Sequence, residues 1–268
     1  MKTVKHILYL IIGILLIGCE SQDNSEPDIA IQYDPVADID GNIYNTMKIK
    51  DQAWITDNLN VSHFNNGNPI PEVKTNNEWI NAGKEGKPAW CWLNNNPANG
   101  RKYGKLYNWY AATDPRGLAP EGWHIPSTGE WVTLTDYYLD GNNAGKIMKS
   151  ASGWSSGGNG NNSSLFNALP GGYRMYNGNC DSSASYGLWW SSSGGSEASA
   201  AWARQLSYDN DLILSCTFDK GTGMSVRIVR KIVSTGDPQL TLAEKLQKAL
   251  DEGLNPSKGK GISAAVIL

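Results

Sequence analysis

Three phenylalanines, three histidines and four cysteines in 268 residues leave this chain poor in several groups that carry chemistry. No apolar run reaches the roughly 18 residues that a membrane-spanning helix needs; the longest, Ile7 to Ile17, is broken only by Gly13. A basic excess is missing too. With 23 Lys and Arg against 26 Asp and Glu the net charge is −3, which argues against a nucleic-acid partner. No spacing of His, Cys, Asp or Glu forms a metal-ligand pattern, and no cofactor fingerprint is present, so no metal and no cofactor are expected. What the chain does have is 11 Trp, 12 Tyr and 29 Gly, an aromatic and loop-rich composition suited to an extracytoplasmic fold. The tryptophans all fall between Trp54 and Trp202, whereas Gly236 to Leu268 holds no aromatic residue, which marks a boundary near Ser234 to Pro238.

The N-terminus has its own logic. Lys2 and Lys5 precede the apolar run, which ends in Leu16-Ile17-Gly18-Cys19. A short charged segment, an apolar stretch and a small residue before cysteine read as the signal peptide of a bacterial lipoprotein, residues 1–18, cut ahead of Cys19. Cys19 is then the lipidation site, its thiolate taking the diacylglycerol, and several acyl chains on one residue satisfy the requirement for stable anchoring. The expected location is therefore the outer membrane or cell surface, with the membrane as partner through the lipid on Cys19. Loss of Lys2 and Lys5 with the leader takes the charge from −3 to −5. Residues 19–37, dominated at first by Ser, Asp, Asn and Glu, are expected to be a flexible leash.

Beyond it, Asp40-Gly41 signals a turn and Ile43 to Ile49 a strand, with Ile43, Met47 and Ile49 on one face. A second short strand is expected through Ala53 to Thr56. Helical spacing places Leu106, Tyr107, Tyr110 and Ala111 on one side of Lys105 to Ala112, and Trp131, Leu134 and Tyr138 on one side of Ser127 to Leu139. Ser127 and Glu130 form a capping box for the latter, and Asp140-Gly141 supplies its stop. Strands return at Tyr173 to Tyr176, Leu188 to Ser191, Ala201 to Ser207, Leu212 to Thr217 and Ser225 to Val229, with Asp209-Asn210-Asp211 as a hairpin tip. Strands, two helices, then many strands make an α+β fold.

Several motifs in this order resemble one family. They are Asp40-Gly41-Asn42-Ile43-Tyr44, Gln52-Ala53-Trp54, Tyr103 to Ala111, Pro120-Glu121-Gly122-Trp123-His124-Ile125-Pro126-Ser127, Ala168 to Arg174, Trp189-Trp190-Ser191-Ser192 and Ser225 to Arg230. Together they resemble the Fibrobacter succinogenes major paralogous domain over residues 38–231. The resemblance implies a C-type-lectin-like fold, two helices packed on a small twisted, mostly antiparallel sheet with long loops. It implies no known activity. Relatives commonly carry cysteine where this chain has Ala119 and Ile228, which fits a disulfide in those relatives that this chain lacks. Cys91, Cys180 and Cys216 are left, and the sequence does not choose a pair among them.

Candidate ligand-binding residues are Trp90 and Trp92, Trp189 and Trp190, whose flat faces and N–H donors suit sugar rings. Adjacent residues on a strand point to opposite faces, so one of each pair is expected in the core. Arg174 and Arg227 could meet an anionic ligand, with pairing to a core carboxylate or stacking on Trp as the structural alternative. No catalytic constellation is expected. Gly153-Trp154-Ser155-Ser156-Gly157 matches G-x-S-x-G without the strand and helix that a nucleophile elbow needs, and reads as loop.

After a linker, 232–239, residues 240–268 differ in kind. Thr241 and Glu244 cap a helix with Leu242, Leu246, Ala249 and Leu250 on its apolar face, Gly253 ends it, and Ile262 to Leu268 reads as a buried strand. This segment resembles the opening of serine hydrolases of the beta-lactamase and D-alanyl-D-alanine carboxypeptidase type. The leading expectation is a lipid-anchored surface protein whose lectin-like domain binds a polysaccharide or other envelope component. The alternative is the front of a larger serine hydrolase.

Overall fold

A computed structural model describes residues 31–138, 143–181 and 184–232. The signal peptide, Cys19, the first part of the leash, Asp140-Gly141, and the linker and tail beyond Ile232 lie outside the described residues.

The domain opens with β1 (Ile31–Ala37), antiparallel to β2 (Ile43–Ile49). This corrects the expected leash, whose last seven residues form an edge strand that lays Tyr33 against Ala53 and Ile232. Asp38 builds the connecting turn: Oδ1 accepts from the N–H groups of Asp40 and Asn42, and Oδ2 from Asn42 Nδ2 and the Tyr44 hydroxyl. β2 pairs with β3 (Gln52–Ile55), and β3 with the last strand of the domain. Met47 and Ile49 are buried as expected, but Ile43 on the same face is 73 % exposed, while its neighbour Tyr44 on the other face is buried in the core.

Next come α1 (Asn76–Lys84), capped by Thr75 and Glu78, then β4 (Trp90–Cys91), and α2 (Pro97–Tyr103), capped by Asn96. β5 (Leu106–Tyr107) pairs with β4, and α3 (Trp109–Ala112) follows. The expected helix over Lys105 to Ala112 is thus half strand. Tyr107 exchanges both backbone hydrogen bonds with Met224, and Asn108 Oδ1 accepts from the N–H of Ala111, so the helix begins only after Asn108. The helix at Ser127 is as expected: α4 (Thr128–Tyr137) has its capping box and buries Trp131 and Leu134. α5 (Ala144–Met148) is short. Ser155–Gly157 is a single 3-10 turn in a loop, in keeping with the loop reading of the G-x-S-x-G match.

β6 (Tyr173–Arg174) pairs with β7 (Cys180–Asp181). β8 (Tyr186–Gly194), β9 (Ala200–Ser207) and β10 (Ile213–Asp219) form an antiparallel meander, and β11 (Val229–Lys231) returns to β3. The β1-β2-β3-β11 sheet therefore closes the two ends of the domain on each other. The fold is mixed α/β, with short helices and antiparallel, curled sheets.

Two large clusters make the core. One gathers Ile55, Phe64, Tyr107, Trp190, Val226 and Ile228; the other Trp54, Trp131, Phe166, Trp189 and Leu206. β8 lies between them, sending Trp189 to one and Trp190 to the other. Ala119 and Ile228 belong to the same cluster.

Candidate functional site

A cleft of about 480 Å³ opens on the Pro120-Glu121-Gly122-Trp123-His124-Ile125 segment and is walled by Asn65, Ala112 to Asp114, Gly117 to Ala119 and Ser192. Its loop is pinned at several points. His124 exchanges both backbone hydrogen bonds with Val229 at 2.9 Å, the N–H of Trp123 donates to Pro120 O, and Ser192 N–H donates to Pro126 O. Asn65 Nδ2 donates to Ala119 O, and Asn65 N–H to Gly117 O. At Gly122 the φ of +79° lies in the left-handed region that favours glycine, and this turn presents Trp123 and His124 side by side.

Trp123 is half-buried, packed against core residues, with the Arg230 guanidinium 5.5 Å from its ring centre and 4.9 Å from that of Tyr33. His124 is exposed; its Nε2 meets Glu130 Oε1 at 2.6 Å. The Glu130 hydrogen bond raises the His124 pKa above its ordinary value of 6.5 despite partial burial. Burial would raise the Glu130 carboxyl, but bonds from His124 and Ser127 outweigh it and hold the group below its usual range. Across the cleft, Asp114 receives a bidentate ion pair from Arg116, whose guanidinium lies 4.0 Å from the Phe64 ring centre. The hydrogen bond from Arg116 holds the Asp114 carboxyl low. A half-exposed indole flanked by carboxylates, an imidazole and an amide can stack on one face of a polyol and hydrogen-bond its hydroxyls.

The six residues expected to bind ligand lie elsewhere. Trp189 and Trp190 are both fully buried, because β8 has core on both faces; Trp189 Nε1 donates to Asn58 Oδ1 and Trp190 Nε1 to Tyr107 O. Trp90 is buried with its Nε1 on Ile70 O, and Trp92 is half-buried. The chain's own cation lies against both rings of this second pair. Lys105 Nζ sits 4.6 Å from the ring centre of Trp90 and 4.5 Å from that of Trp92, and donates to the carbonyl and side-chain oxygens of Asn60. Burial brings the Lys105 amine down to about 8, against the pull of Asp40 and Asp38.

Arg174 and Arg227 are fully buried and meet no ligand surface. Arg174 donates to the carbonyls of Gly178, Val73 and Lys74 and stacks on Trp79. Arg227 donates to Asn58 Oδ1, Ile55 O and Asn167 O and stacks on Phe166. The stacking alternative is realised, on Trp for one and on Phe for the other, and carbonyls take the place of the expected carboxylate. Burial brings Arg227 down to about 9. Asp209-Asn210-Asp211 is a turn secured by the buried Lys149, which donates to Ser207 O and Asn210 O and pairs with Asp211 at 2.9 Å. Among the described residues no three His, Cys, Asp or Glu side chains group as metal ligands.

Trp123, Asp114, Asn65 and Ser192 escaped sequence reasoning as site residues. The signal was present in the Glu121-Gly122-Trp123-His124 motif, where an aromatic and a titratable group follow a glycine turn.

That motif and most of the others lie within the stretch matched by the family model described as Fibrobacter succinogenes major domain, residues 47–230. No curated protein and no solved structure matches the chain. With most of its length covered, the chain belongs to the Fibrobacter succinogenes major domain family.

Proposed function

We propose that this chain is a lipid-anchored envelope protein, held by acyl groups on Cys19, whose domain has a C-type-lectin-like architecture and binds a polysaccharide or other envelope component in the cleft beside Trp123. The anchoring part rests on Lys2, Lys5, the apolar run and the Leu16-Ile17-Gly18-Cys19 sequence. No helix among the described residues is long and apolar enough to cross a membrane. The binding part rests on one observation: in the cleft a half-buried indole stands beside an imidazole, two acidic side chains and an amide, while Trp90, Trp189 and Trp190 are buried and Lys105 lies against Trp92. Sugar recognition combines apolar contact with one ring face and hydrogen bonds to hydroxyls, and this wall offers both.

A glycan array probed with the full chain in detergent tests the binding part. The reading expects a bound glycan whose signal drops at least tenfold in Trp123→Ala; no bound glycan, or binding indifferent to Trp123→Ala, overturns it. Metabolic labelling with palmitate tests the anchor: label in the wild type and none in Cys19→Ala is expected, and an unlabelled wild type contradicts it.

A further inference from the structure

Three cysteines lie in the described part of the chain, all free thiols. Two of them meet. Cys91, at the end of β4, is fully buried in a small cluster with Trp79, Ala89, Leu93 and Leu106, and Cys180, on β7, packs against that same cluster. Arg174 links the two strands: it stands opposite Cys180 in the β6–β7 register, and its side chain reaches Cys91 and the Val73 carbonyl beside β4. Cys216 is placed differently. It lies on β10, an outer strand of the three-stranded meander, opposite Ala203 and beside Arg204.

We infer that Cys91 and Cys180 are the pair that oxidises to a disulfide, tying β4 to β7, and that Cys216 stays outside the link. Cys180 is only half-buried, so its thiolate is the one that reaches an oxidant, here a small disulfide such as glutathione disulfide. Its attack on one glutathione sulfur forms a mixed disulfide and releases one glutathione thiolate. Cys91 then attacks the Cys180 sulfur and expels the second glutathione, which leaves as a thiol carrying the Cys91 proton. Two thiols are oxidised and one disulfide is reduced to two thiols. Burial pushes the Cys91 thiol up to about 12, which suits it to the second, intramolecular step rather than the first. Oxidation inside the living cell rests on the proposed export, because disulfides persist in oxidising compartments.

Trypsin separates the three thiols cleanly, placing Cys91 in 85–101, Cys180 in 175–204 and Cys216 in 205–220. The full chain in detergent is treated with glutathione disulfide, alkylated and mapped by mass spectrometry without reduction. The expected result is peptide 85–101 joined to 175–204, with 205–220 unjoined to either. Separate recovery of both peptides, Cys180 stopping at its glutathione adduct, or a link to 205–220 would overturn the pairing. Cys180→Ser, at the less buried of the two positions, should leave Cys91 alkylated, and a Cys91 link that persists there contradicts the inference. The same map on protein from its native membrane reads the compartment. A link that forms with glutathione but is missing from native protein sinks the export reading and leaves the pairing standing.

Discussion

Trp189 Nε1 donates to Asn58 Oδ1 at 2.8 Å, and the same oxygen accepts from Arg227 Nε at 2.9 Å. Asn58 Nδ2 donates in turn to Tyr103 O and Ser225 Oγ. One buried amide thus satisfies a buried indole and a buried guanidinium, and ties the chain after β3 to β8 and to the segment leading into β11. Asn58→Ala would strand both donors, at a cost of about 3 kcal/mol or more. Urea unfolding of the variant measures it; a loss under 1 kcal/mol contradicts the role.

Lys149 organises the hairpin between β9 and β10 from beneath, through two carbonyls and Asp211. Lys149→Met keeps the bulk and removes the donors. It should cost about 2 kcal/mol, and amide hydrogen exchange should quicken at Leu212, whose N–H donates to Asn210 Oδ1 within this turn. Unchanged exchange there would contradict it.

The His124–Glu130 pair carries a pH signature. Because the His124 pKa is raised above 6.5 on folding, its contribution is full below pH 6.5 and is lost as pH rises through the raised value. Glu130, lowered from 4.5, contributes fully above pH 4.5 and loses it as pH falls through its folded value. The pair therefore stabilises most between about pH 4.5 and 6.5, by about 0.5 kcal/mol for so exposed a contact. Glu130→Gln preserves the helix cap, so the imidazole titration followed by NMR should fall toward 6.5 with α4 intact. A titration that does not move contradicts the pairing.

Lys105 gives the opposite slope. Its folded pKa, about 8, is below the ordinary 10.5, so the unfolded chain binds more protons across that interval and stability from this group rises with pH from 8 to 10.5. Trp92→Ala opens the cage to water and should return the amine toward 10.5, read by the pH dependence of its acylation by a soluble anhydride. A value still near 8 would show that Trp92 does not shield it.

How far this architecture was legible depends on how local its cause is. Ser127 and Glu130 announced α4 because a capping box is a four-residue device. Thr75 and Glu78 announce α1 in the same way, but only Trp79 in that helix is buried, too thin a stripe for periodicity to register. Lys105 to Ala112 misled because Leu106, Tyr107 and Ala111 are all buried, as a helix face would be, although the first two are strand residues and only Asn108 marks the change. Trp189 and Trp190 misled for a tertiary reason: alternation sends one neighbour outward only when the outer face meets water, and β8 has core on both sides. The motif around Trp123 was visible as a motif. That it walls a cleft depends on Asn65, Ser192 and Val229, contacts distant in sequence.

The most direct test follows the eleven indole N–H signals by NMR while the full chain in detergent is titrated with the glycan that binds best on the array. The account predicts that Trp123 shifts with saturation, while Trp189 and Trp190, bonded inside the core, stay in place. Saturating shifts at other indoles with Trp123 unmoved would contradict it.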